Sequence, residues 1–133
     1  MRRTAITLTL ASAFTVSASL ATSAAYADLG DAQATGARAV AIVNADATVV
    51  RSKGVTAVRK LDVGQYCVQL DSDYDASRGV PVANIRWISV PTWNSGAFVE
   101  ESGTRCGAGN RYVLVRTSNG SGPADASFSV IVP

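Results

Sequence analysis

Between Val40 and Leu70 the apolar residues fall into runs too short for helices, and this spacing restricts the chain more than any other feature. Val40, Ile42 and Val43, then Val49 and Val50, then Val55 and Val58, then Tyr66, Val68 and Leu70 are β-branched or bulky. Such residues suit a pleated, half-buried surface. Between the runs stand Asn44-Ala45-Asp46, Ser52-Lys53-Gly54 and Asp62-Val63-Gly64. Glycine turns a chain because it has no Cβ, and Asn and Asp do so because their side chains bond the adjoining backbone. Three turn signals so closely set predict a meander. In the last run Tyr66, Val68 and Leu70 share one strand face and Gln65, Cys67 and Gln69 the other, which gives an apolar face and a polar one.

The amino-terminal segment has a different character. Met1-Arg2-Arg3 is positive, Ile6 to Leu20 is apolar and rich in small residues, and Ala25-Tyr26-Ala27 fits the small-x-small cleavage rule. Residues 1–27 are therefore expected to be a signal peptide, which predicts a secreted, extracellular protein. Residues 28–38 read as a flexible polar leader and 39–133 as one β-domain. Removing Arg2 and Arg3 from the 12 basic residues leaves a working chain balanced against its 10 acidic ones. Nucleic-acid binding needs clustered cations against phosphate, so that partner is not expected, nor is a membrane after cleavage. Arg51, Lys53, Arg59 and Lys60 gather around one expected hairpin and read as solvated strand charge. The only cysteines, Cys67 and Cys106, form a disulfide by default in an exported chain.

After Leu70 comes a polar loop from Asp71 to Gly79, followed by Val80 to Val90, which reads as a strand near an edge because Pro81 cannot donate a ladder hydrogen bond. Pro91 ends it. Thr92 to Asn110 is loop-rich, with a short apolar piece at Ala97-Phe98-Val99 and Cys106 near its end. Arg111 to Thr117 is a clear strand, the segment from Ser118 to Asp125 is dense in turn residues, and Phe128, Val130 and Val132 mark a final strand. The sum is an all-β fold, an antiparallel β-sandwich or open barrel of about seven or eight short strands. The cysteine spacing is too short for the inter-sheet bridge of a strict immunoglobulin domain.

Several of these segments together, Val43 to Asp46, Val50 to Thr56, Gly64 to Val68, Val115 to Thr117 and Asp125 to Val130, resemble a group of small secreted actinobacterial β-domain proteins with no assigned activity. Members often carry Asp-Gly at the first turn, where this chain has Asp46-Ala47. The resemblance covers nearly the whole expected mature chain, rests on turns and strands, and implies an exported envelope or extracellular domain without a mechanism.

The chemistry is restricted chiefly by the absence of histidine. Ser-His-Asp and Cys-His schemes are excluded, and the commonest zinc ligand is missing. There is no nucleophile elbow, phosphate loop or dinucleotide fingerprint; Gly107-Ala108-Gly109 and Gly120-Ser121-Gly122 are loop glycines. Asp71, Asp73 and Asp75 begin like a calcium loop, but Ala76 stands at the turn glycine and Val82 at the bidentate acid, so they read as an acidic turn that caps its own backbone. Glu100, Glu101 and the Asp71 to Asp75 group supply carboxylates without a fixed separation for glycoside hydrolysis. Asn119-Gly120-Ser121 reads as a hairpin turn rather than a glycosylation site.

What remains is aromatic. Trp93, Tyr74 and Phe98 lie in or near loops and are the expected binding residues, while Trp87, within the expected strand, is assigned to the core. The expected function is a non-catalytic binding or structural module without cofactor or catalytic residues, directed at cell-wall glycan or a secreted protein. The alternative is an inhibitor of a secreted hydrolase that uses residues 92–110 as a preorganised plug.

Overall fold

The structure, a computed structural model, describes residues 36–71, 73–89, 93–100 and 104–133. The expected signal peptide, most of the leader, and Pro91, Thr92 and Glu101 lie outside the described residues. Nine strands are described: β1 (Ala39–Val43), β2 (Val49–Lys53), β3 (Val55–Asp62), β4 (Gln65–Leu70), β5 (Val82–Ile85), β6 (Gly96–Glu100), β7 (Tyr112–Asn119), β8 (Gly122–Pro123) and β9 (Phe128–Val132). One sheet runs β2-β1-β9-β5 and the other β3-β4-β7-β6, with β8 paired to β7, and every pairing is antiparallel. The sheets face each other as a sandwich rather than closing into a barrel.

Strict alternation builds the interior. Tyr66, Val68 and Leu70 from β4, Val113 and Val115 from β7, and Phe128, Val130 and Val132 from β9 form one buried cluster. From β1 this cluster takes the small residues Ala39 and Ala41 together with Val43. The Tyr66 and Phe128 rings meet at 5.0 Å between centroids, tilted by 53°, within the range favourable for aromatic pairs.

The expected meander is corrected at its middle turn. Asn44 to Thr48 closes the β1–β2 hairpin and Asp62 to Gly64 lies between paired β3 and β4, but β2 and β3 belong to different sheets. Gly54 is a corner between the sheets rather than a hairpin turn. Its φ of +66° is left-handed, and a Cβ there would overlap the Arg38 carbonyl oxygen. The first turn is unusual in a different way: Ala47 holds φ +73° where glycine is the ordinary choice. Asp46 fixes it by accepting from the Thr48 amide at 2.9 Å and the Thr48 hydroxyl at 2.6 Å. The half-buried Ala47 side chain meanwhile packs against the core.

Two further expectations change. Val80 to Val90 is not one strand: β5 ends at Ile85, and Trp87–Ser89 forms a 3-10 turn. Ala97-Phe98-Val99 is not loop, because β6 pairs with β7 from Gly96↔Ser118 to Glu100↔Leu114. The outer face of β4 is also less polar than expected. Cys67 is buried with Cys106 and its cross-strand neighbour Leu114 in a second apolar cluster, edged by Leu61 and Tyr112. The Cys67–Cys106 disulfide, with 5.5 Å between its Cα atoms, pins the segment before β7 onto that face, and the Arg59 guanidinium donates to the Cys106 carbonyl.

The first turn, the β3–β4 turn and the segment before β9 meet in one hydrogen-bonded lock. The Tyr66 hydroxyl donates to the Ala45 carbonyl at 2.8 Å and also contacts Asp125 at 3.3 Å. Asp125 accepts the Gly64 amide at 2.8 Å and pairs with Lys60. Burial alone would raise the Asp125 pKa, but the Gly64 amide, Lys60 and Tyr66 together hold it below the ordinary carboxylate range. Its contribution is thus present above the unfolded value near pH ~4 and is lost as pH falls through the folded one. Tyr66 behaves oppositely, pushed up to about 12 by burial and then by the Asp125 charge. The fold favours its neutral form, so this stabilisation is complete below pH ~10 and disappears between there and ~12, on the order of 2–3 kcal/mol in all. Tyr66→Phe is expected to lose about 1 kcal/mol at neutral pH and to flatten the alkaline decline. Urea unfolding across pH 9 to 12 checks this, and an unchanged alkaline slope in the variant contradicts it.

Candidate functional site

β5 and β6 are the last strands of their respective sheets and lie against each other along one side of the sandwich. The chain between them crosses from sheet to sheet. Its first half leaves β5 through the Arg86 amide, which donates to the Ser127 carbonyl at 2.8 Å, and then winds into the 3-10 turn. Its second half enters β6 through a turn at Trp93-Asn94, where the Asn94 side chain stands against Gly120 of the β7–β8 hairpin. The crossing thus projects from the same end of the sandwich as that hairpin.

Trp87 and Trp93 meet at this crossing, with ring centroids 4.6 Å apart and planes tilted by 45°. The pair is open to solvent: Trp87 is 56% exposed, Ile88 84% and Trp93 88%. From Trp87 to Val99 the sequence contains no charged residue. An apolar grouping of this kind on a surface, with Asn94 and Ser95 beside it, has the composition of a contact site. Its chemistry is limited to stacking, dispersion and hydrogen bonds from the indole N–H groups.

Trp93 is where the sequence placed it, exposed and beside a turn. Trp87 corrects the assignment to the core, because the strand that would have buried it stops two residues earlier. Phe98 is 62% exposed on the outer face of β6, its ring over Gly96 and opposite Arg116 in the β6–β7 register. Tyr74 belongs to the other end of the molecule, where its hydroxyl fills the space above Gly79. The three expected binding residues therefore do not form one site. The segment 92–110 is not a single plug either, since β6 occupies part of it and the disulfide anchors Cys106.

Compared with protein-family models, curated proteins and solved structures, the chain matches none.

Several charged residues serve the fold. Lys53 donates to the Ala37 carbonyl at 3.2 Å, while Arg59 and Lys60 have the partners given above. The four basic residues do not share one hairpin, because Arg51 and Lys53 stand on β2 and Arg59 and Lys60 on β3 of the other sheet. Asp71 accepts the Thr56 hydroxyl at 3.0 Å, and Asp75 caps the 3-10 turn Ala76–Arg78 by accepting the Ser77 amide at 3.0 Å and its hydroxyl at 2.6 Å. Among the described residues, no three acidic or thiol side chains are grouped to hold a metal ion. Glu100 pairs with Arg116 at 2.8 Å, and Asn119 Oδ1 accepts the Ser121 amide at 2.9 Å within a hairpin turn. No described helix is long and apolar enough to cross a membrane.

Proposed function

We propose that this chain is an exported, non-catalytic binding module that attaches to cell-wall glycan through Trp87 and Trp93. The observation that carries the reading is the exposed indole pair, Trp87 just after β5 and Trp93 just before β6, in a stretch of sequence without charge. A sugar ring offers alternating C–H faces and hydroxyl edges, which an indole face and its N–H complement. Trp87 follows the end of β5 closely and Trp93 precedes β6 closely, so each ring is attached near a paired strand, which reduces the ordering cost of binding. Export is supported by the form of the first 27 residues and by the buried disulfide, which suits an oxidising compartment. The resemblance to small secreted actinobacterial β-domains points to the same compartment.

Retention on purified bacterial cell wall and insoluble polysaccharides tests the reading. Trp93→Ala is expected to weaken retention by about 30-fold, corresponding to the ~2 kcal/mol of an aromatic anchor. Its stability should stay within about 0.5 kcal/mol of the parent, because the ring is exposed. Equal retention of Trp93→Ala and the parent, or no retention of the parent on any of these solids, would count against the proposal.

A further inference from the structure

At the other end of the sandwich the chain entering β1, the chain leaving β9 and the loop after β4 surround a second feature. Arg38, Asp73, Tyr74, Asp75, Arg78, Gly79 and Pro133 enclose an open cavity of about 360 Å³. That volume falls within the range of small-ligand sites. The fold fixes several of its walls. The Arg38 amide donates to the Val132 carbonyl at 2.9 Å, and the Ala76 amide donates to the Asn110 carbonyl at 2.6 Å, which seats the loop against the start of β7. Asp75 is held by its cap, and Gly79 leaves room for the Tyr74 hydroxyl because a side chain there would occupy the same space.

The cavity carries charge of both signs. Arg38 and Arg78 line it, and among the described residues neither guanidinium forms an ion pair within 4.0 Å. Elsewhere in the molecule Arg59 and Arg116 are engaged by protein oxygens; Arg78 acts on Asp75 through its charge, and among the described residues both lining guanidinium groups keep N–H donors for a ligand. Asp73 and Asp75 line the same space. Hydrogen bonds from Ser77 hold the Asp75 pKa below the usual range, so hydrogen bonding within the loop favours its charged form. A purely anionic ligand would meet two carboxylates and a purely cationic one two guanidinium groups. A molecule with both charges meets complementary groups at each end.

We propose that this cavity binds a small zwitterion, an amino acid or the end of a short peptide, its carboxylate on Arg38 and Arg78 and its ammonium group toward Asp73 and Asp75. Guanidinium groups match a carboxylate through paired N–H donors, and the Tyr74 ring lies beside the bound backbone. The site is separate from the tryptophan pair and does not depend on the glycan reading.

The test is titration of the isotopically labelled chain followed by amide resonances. The probes are alanyl-alanine, acetate, ethylamine and inorganic phosphate, each at the same low ionic strength. Alanyl-alanine is expected to move the resonances of Arg38 and of Asp73 to Gly79 saturably, and to bind at least tenfold more tightly than any single-charge probe. Arg38→Gln and Arg78→Gln should each weaken it at least tenfold, as should Asp73→Asn. These side chains are exposed, and unchanged resonances for the β4, β7 and β9 core establish that each variant is folded. The proposal is overturned by no shift with the dipeptide, by acetate or phosphate binding as tightly as the dipeptide, or by folded arginine variants that bind it like the parent.

Discussion

Removal of the Cys67–Cys106 disulfide, as the Cys67→Ala/Cys106→Ala pair, is expected to lower the unfolding free energy by about 4 kcal/mol. The cysteines are 39 residues apart in sequence, and releasing a loop of that size restores roughly this much chain entropy to the unfolded state. The effect is large because a domain of this size has only about 5–15 kcal/mol to lose. The folded state is affected as well, since Cys67, Cys106 and Leu114 form one buried apolar cluster on the outer face of the β3-β4-β7-β6 sheet. Denaturant unfolding of the parent and the double variant measures the difference. A loss below about 1 kcal/mol would show that the segment before β7 stays ordered without the bridge and that the entropic argument fails here.

Gly54→Ala should be nearly as costly, at about 3 kcal/mol. The residue links β2 to β3 at the corner between sheets, with a left-handed φ that costs an L-residue about 1–2 kcal/mol. The remainder arises because the new methyl overlaps the Arg38 carbonyl oxygen and lies 3.2 Å from both the Cα and Cβ of Ala39. Ala39 cannot retreat freely, since β1 is held on both sides by β2 and β9 and Ala39 itself is buried. Gly109 supplies the comparison: its φ is +100° but nothing lies within 4 Å of an added Cβ. Gly109→Ala therefore bears only the backbone term, about 1–2 kcal/mol. Equal losses for the two variants would mean that the corner yields and that the close approach to β1 does not constrain the fold.

Why some of this architecture was legible and some was not follows from how far along the chain each determinant reaches. Phe128, Val130 and Val132, or Tyr66, Val68 and Leu70, declare their strands locally, because a period of two with one buried face is written into consecutive residues. Gly54 and Gly64 look alike in sequence, since both a hairpin turn and a sandwich corner call for a left-handed glycine. Only the partners of β2 and β3, far away in the chain, decide between them. The β6 strand was hidden because Gly96 and Ala97 are weak strand formers and Phe98 faces outward. Alternation through Ala83 and Ile85 would carry on to Trp87, whereas the chain leaves the ladder after Ile85. Tyr74 and Phe98 share only their chemical type with Trp93, and the fold separates them. The Arg38 and Arg78 cavity left no local signal, because residues forty positions apart create it.

The most direct test of the indole pair as the binding surface is tryptophan fluorescence during titration with soluble cell-wall glycan fragments. Trp87 and Trp93 are the only tryptophans in the chain and both are exposed, so the signal comes from the proposed contact alone. A saturable shift of emission to shorter wavelength, its affinity lowered about 30-fold in Trp93→Ala and followed there through Trp87, is the predicted result. Retention of the chain on cell wall with no change in emission would place the contact elsewhere and contradict the account.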